Sequence, residues 1–154
     1  MTFSFHQHLI KMANIKHYLL IKASPEKVYK ALTSTEGLKG WWTLEAKTDE
    51  QVGGVAEFIF GDRYHNKMKI VELVQNKKVE WECIKGDKEW IGTNFVFSLD
   101  EKDGDTILRF THSNWKEETD FFASCNYNWG YYLRSLKLYC ETGIGTPFSS
   151  ISES

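Results

Sequence analysis

The sequence predicts an α+β fold in which helices gather on one face of an antiparallel sheet. Three observations predict it. Between Val55 and Ser113, successive stretches alternate apolar and polar residues, the mark of half-buried strands. Residues 121–142 change to a helical period. Ser24-Pro25-Glu26 is a strong helix start shortly after a strand-like segment.

Taken in order, Ile15 to Ile21 is rich enough in β-branched and aromatic residues for a strand. Ser24 then caps free amides, Pro25 suits the first helical position and Glu26 opposes the helix dipole. Val28, Ala31 and Leu32 give this helix one apolar face. Thr33-Ser34-Thr35-Glu36-Gly37 ends it and starts a second short helix that delivers the chain to Trp41-Trp42. From Val55 to Phe60, Ala56, Phe58 and Phe60 share one face. Lys67 to Val74 reads as a strand with a bulge, because Met68 and Ile70 alternate cleanly and then Val71, Leu73 and Val74 do not. Val79, Trp81 and Cys83 alternate with Lys78, Glu80 and Glu82. Thr93, Phe95, Phe97 and Leu99 follow the same rule, and Asp103-Gly104 marks a tight hairpin into Thr106 to Ser113. In the last helix, Phe122, Cys125, Trp129, Tyr132, Leu133, Leu136 and Cys140 form one long stripe, and Gly143 stops it.

The 154 residues are the size of one ordinary domain with a substantial core. We expect residues 12–145 to form that domain, residues 1–11 a loosely held extension and residues 146–154 a polar tail. Composition narrows the function classes. A net charge of −2 lacks the basic footprint of a nucleic-acid binder. No apolar run is long enough to span a bilayer, and residues 1–11 do not read as a signal peptide. Cys83, Cys125 and Cys140 have neither disulfide nor zinc spacing, which points to a reduced cytoplasm. No metal site is expected from His6 and His8, and no cofactor motif occurs: there is no nucleophile elbow, phosphate loop or dinucleotide fingerprint. The excess that remains is aromatic, 15% of the chain.

Five separated segments carry a resemblance. Ala23-Ser24-Pro25-Glu26-Lys27-Val28 with Gly40-Trp41-Trp42, Val52-Gly53-Gly54-Val55, Thr111-His112-Ser113-Asn114-Trp115 and Asn128-Trp129-Gly130 occur in the order found in the heat-shock-protein-90 ATPase-activator homologue family. The chain resembles that family over roughly residues 15–142, with Asn-Trp where the family usually carries Gly-Trp in the final helix. The family belongs to the START-like (helix-grip, SRPBCC) superfamily. The resemblance implies a curved sheet of about six to seven strands wrapped around the C-terminal helix, with a cavity between them. The chain is expected as a monomer or homodimer, and the resemblance implies two candidate partners, a small apolar ligand or a chaperone. Fold alone does not choose between them.

The expected cavity lining is Trp41, Trp42, Phe58, Phe60, Met68, Trp81, Phe95, Phe97, Phe110, His112, Trp129, Tyr132, Leu133 and Leu136. These side chains either surround an apolar pocket or fill the space themselves. His112 continues the inward face of Leu108 and Phe110, where it either hydrogen-bonds structurally or meets a ligand. It is also the leading catalytic candidate, with Tyr132 and Glu57 behind it, if the protein is a cyclase-like enzyme. His65 is expected in a solvated hairpin loop. Tyr127, Tyr131, Arg134 and Leu138 form a mixed aromatic patch on the back of the last helix, a candidate partner surface. The reading favoured by these residues is a non-catalytic domain that binds an apolar or amphipathic molecule. A chaperone regulator acting by protein contact is the alternative.

Overall fold

Strand β1 (Ala13–Ile21) runs into two short helices, α1 (Pro25–Thr33) and α2 (Thr35–Trp41). A computed structural model of the chain describes residues 12–150. The expected extension at residues 1–11, with His6 and His8, lies outside the described residues. Serines set both helix starts. Ser24 Oγ accepts from the Lys27 amide at 3.2 Å, and Ser34 Oγ accepts from Gly37 at 3.0 Å. Six further strands follow: β2 (Glu45–Thr48), β3 (Val55–Phe60), β4 (Tyr64–Val74), β5 (Lys78–Lys85), β6 (Asn94–Lys102) and β7 (Asp105–Trp115). The long helix α3 (Asp120–Thr142) closes the order.

The seven strands make one antiparallel sheet in the order β1-β7-β6-β5-β4-β3-β2, curved around α3 as a START-like helix grip. Asp103 and Gly104 both take positive φ, 53° and 86°, as the tight β6–β7 hairpin requires. The bulge expected in β4 is present, with register shifts at Lys67/Met68 and Ile70/Glu72. A second irregularity lies in β7. Asn114 adopts φ 72°, the pairing with β1 slips between Ala13 and Ile15, and Trp115 thereby turns into the core although simple alternation points it outward.

Three details differ from the sequence expectation. β2 is a strand of only four residues, too short for its alternation to stand out. His65 lies within β4 rather than in a loop, because the hairpin turn occupies only Gly61–Arg63; on the sheet's outer face it meets Glu57 and Lys85. The start of the expected polar tail is tied down. Thr146 N donates to Ser135 Oγ at 2.7 Å, Phe148 N to Trp42 O at 2.8 Å and Leu44 N to Phe148 O at 3.0 Å.

The core lies between the sheet's inner face and α3. Phe58, Phe95, Phe97 and Phe110 from the strands, with Trp81, meet Trp129 and Leu133 of α3, and all are essentially buried. Trp41 and Trp42 fill the space that α2 opens, stacking at 5.7 Å, and Trp42 continues to Trp81 at 6.0 Å.

Candidate functional site

Fourteen residues were expected around a cavity, and the structure divides them. Trp41, Phe58, Met68, Trp81, Phe95, Phe97, Phe110, His112, Leu133 and Leu136 are buried in mutual contact, and none of them borders the main cleft. Rings of this size occupy the middle of the grip themselves. Trp42, Phe60, Trp129 and Tyr132 do border a cleft of about 510 Å3. It lies at one end of the molecule, where the β3–β4 hairpin, the loop after β5, the first half of α3 and the C-terminal segment converge.

Each wall has a local cause. Phe60 and Tyr64 flank the β3–β4 turn as a cross-strand pair. Trp90 is held by the turn after β5, in which Asp87 O accepts from Trp90 N at 2.8 Å, and its indole donates to Cys125 Sγ at 3.4 Å. Thr119 caps α3 by accepting from Phe122 N at 3.1 Å and donates to Glu89, which ties this loop to the helix start. The C-terminal segment follows the Gly143 cap, whose φ is 87°, and brings Phe148 to 5.5 Å from the Phe60 ring. Tyr127 and Tyr131 stand at the rim of the cleft, 80% and 52% exposed. Arg63 and Asp87 supply its charged lining, and its polar lining includes Asn66, Ser124, Asn128 and Thr146.

The four residues of the expected partner surface therefore separate. Tyr127 and Tyr131 belong to the cleft mouth, whereas Arg134 borders a smaller hollow of about 230 Å3 beside His17 and Tyr18 of β1. Leu138 is half-buried. Sequence reasoning missed Tyr64, Trp90, Phe121 and Phe148, which sit at turns or element ends where alternation gives no signal. Asn66 did carry a signal, since it shares the parity of Met68 and Ile70 and so had to face inward.

His112 is fully buried beside this cleft, with both ring nitrogens engaged. Trp129 Nε1 donates to Nδ1 at 3.2 Å, so Nε2 carries the proton and donates to Thr93 Oγ1 at 2.8 Å. Thr93 Oγ1 donates its own hydrogen bond to Trp90 O at 2.6 Å. Phe95 stacks on the imidazole at 4.0 Å. Burial holds the ring well below the ordinary histidine range, in the neutral form the network requires. Burial also pushes the Cys125 thiol up to about 11, a weak nucleophile at neutral pH. Among the described residues, no cluster of His, Cys, Asp and Glu could hold a metal ion, and no helix is long and apolar enough to cross a membrane.

Comparison with known proteins adds a family. The family described as Activator of Hsp90 ATPase homolog 1-like protein matches residues 22–141. The chain is similar to the Aha1 dimer of Colwellia psychrerythraea, known from a solution structure. The two are 43% identical, cover 86% of this chain and 99% of that one, and superpose with a TM-score of 0.78. It is also similar to EF2215, a conserved protein of unknown function from Enterococcus faecalis, at 25% identity, 88% and 75% coverage and TM-score 0.71. BH1534 of Bacillus halodurans shares the fold at 20% identity, 84% and 97% coverage and TM-score 0.68. A search of the curated proteins finds no match.

Proposed function

The chain belongs to the family of Activator of Hsp90 ATPase homolog 1-like proteins, and from that premise we propose that it is a non-catalytic domain whose end cleft holds a small apolar or amphipathic molecule. One observation carries this reading. An interior otherwise filled by its own rings leaves about 510 Å3 open at one end, walled by Trp42, Phe60, Trp90 and Trp129. That volume falls in the usual range for small-molecule sites. The non-catalytic part is supported by His112, whose nitrogens are both engaged and whose charged form is disfavoured. A cytoplasmic setting suits its three free, buried cysteines.

The test uses the three tryptophans that border the cleft. Titration with a panel of apolar aromatic and alkyl probes should change tryptophan emission saturably. Ser124→Phe, an exposed cleft residue enlarged, should weaken that binding by about tenfold or more without lowering the melting temperature. Silence across the panel, read also by calorimetry, would discard the reading.

A second reading is favoured by the 43% identity to a protein named Aha1. In it, the domain regulates a heat-shock-protein-90 chaperone by contact, with Tyr127 and Tyr131 in the docking surface. Unchanged ATPase turnover of the host chaperone at saturating protein would remove it. The same relative is a dimer, and light scattering on this chain will report whether it also forms a homodimer.

A further inference from the structure

Asn66 breaks the chemistry of its surroundings. It sits on the sheet's inner face near the start of β4, opposite Phe58 of β3 and in line with Met68 and Ile70 of β4, all three buried and apolar. Its side chain is 3% exposed, and Oδ1 has no hydrogen-bond partner among the described residues. An unpaired buried amide oxygen destabilises a fold, and leucine, of nearly the same shape, would remove that penalty. Gly86 leaves the amide its place, since a Cβ there would come within 2.6 Å of Oδ1. Trp115 Nε1 is the other buried side-chain polar atom without a partner among the described residues, but it packs among Phe121, Phe122 and His112, and Trp115 itself does not line the cleft. Asn66 borders the cleft itself.

We propose that Asn66 is the polar anchor of the cleft, selecting an aromatic guest that carries a hydroxyl group over the same ring system without one. This rests on the cleft being a small-molecule site. The flat walls Trp42, Phe60, Trp90 and Trp129 favour a ring body, through offset or edge contacts. The hydroxyl follows from the amide. A carboxamide offers an acceptor and a donor that exchange when it rotates, and a hydroxyl pairs with either. A site built around a buried polar group discriminates strongly against an analogue that leaves the group unpaired.

Two probes of one shape, 2-naphthol and naphthalene, test the assignment by calorimetry. Wild type is expected to bind 2-naphthol about tenfold more tightly than naphthalene, the size of one neutral hydrogen bond. Asn66→Leu is expected to lose that preference and to melt no lower than wild type. In wild type, the Asn66 side-chain amide resonances should move with 2-naphthol and stay with naphthalene, a measurement that needs no variant. Equal affinities in wild type, a preference retained by Asn66→Leu, or unmoved amide resonances would overturn the anchor while leaving the cleft as a binding site. A melting temperature lowered in Asn66→Leu would mark Asn66 as structural and also overturn it. If neither probe binds wild type while other members of the panel do, the hydroxyl-aromatic assignment fails alone; if nothing binds, the small-molecule reading fails with it.

Discussion

At the scale of single residues, His112 is where sequence and structure converge most closely. Parity in β7 places it inward, and the structure holds it in a closed relay from Trp129 through the imidazole and Thr93 to Trp90 O. What parity does not reveal is that the partners come from two distant segments, the loop after β5 and α3, so that the ring is satisfied before any ligand arrives. The side chains touching it, Trp90, Thr93, Phe95, Trp115 and Trp129, are all uncharged. A pH dependence follows. The native state resists protonation of His112 while the unfolded chain takes up a proton near about pH 6.5, so the unfolded state binds more protons below that point. Stability from this group is therefore complete above about pH 6.5 and falls with pH below it, by up to about 1.4 kcal/mol per pH unit until the depressed native pKa is reached. Denaturant melts between about pH 7 and 5.5 should show that slope, and His112→Gln should remove it even if the variant is less stable at every pH.

At the scale of elements, the strands were legible because each is half-buried and so writes its orientation into every second residue. The breaks in that pattern were less legible. The β4 bulge announced itself by failed alternation after Ile70, whereas the slip at Asn114 showed only once Trp115 was seen inside. Helix packing was legible in type but not in tightness. Val28, Ala31 and Leu32 form the buried face of α1, yet the close contact is made by Gly37 of α2. A Cβ on Gly37 would lie 2.6 Å from both Cα and O of Ala31, backbone atoms that cannot swing aside. Gly37→Ala should therefore push α2 off α1 and destabilise the protein by about 1–3 kcal/mol, despite alanine's higher helix propensity. A melting temperature equal to or above wild type would refute this. The free edge of β1 shows a further device at this scale. Lys137 Nζ donates to Leu20 O at 2.6 Å and Glu141 accepts from Lys22 N at 2.7 Å, so an i,i+4 pair on α3 occupies backbone groups that an edge strand would otherwise present to another chain. Burial works to raise the Glu141 carboxyl, but the hydrogen bonds from Lys137 and Lys22 outweigh it and leave the group below its ordinary range.

At the scale of the whole molecule, the aromatic excess resolves into two populations. Phe58, Trp81, Phe95, Phe97 and Phe110 fill the grip, while Trp42, Phe60, Tyr64, Trp90, Phe121 and Phe148 ring the cleft. The first population could be placed from alternation alone. Of the second, Trp42 and Phe60 were expected at a cavity, whereas Tyr64, Trp90, Phe121 and Phe148 come from a hairpin, a loop, a helix start and a C-terminal segment remote in sequence, so only the closed fold reveals them. The division has a thermodynamic consequence. A guest seated in the cleft would touch four separate segments at once, and none of these groupings exists in the unfolded chain, so binding should be almost wholly selective for the native state. For such a ligand at about one hundred times its dissociation constant, the native state gains about 2.7 kcal/mol. For a domain of this length that corresponds to a rise in melting temperature of roughly 5–10 °C. The rise should grow with the logarithm of probe concentration above saturation and be largely lost in Ser124→Phe, whose cleft is narrowed. Scanning calorimetry at several probe concentrations measures both. A shift that stops growing beyond saturation, or one undiminished in Ser124→Phe, would show that the probe acts elsewhere than in the cleft.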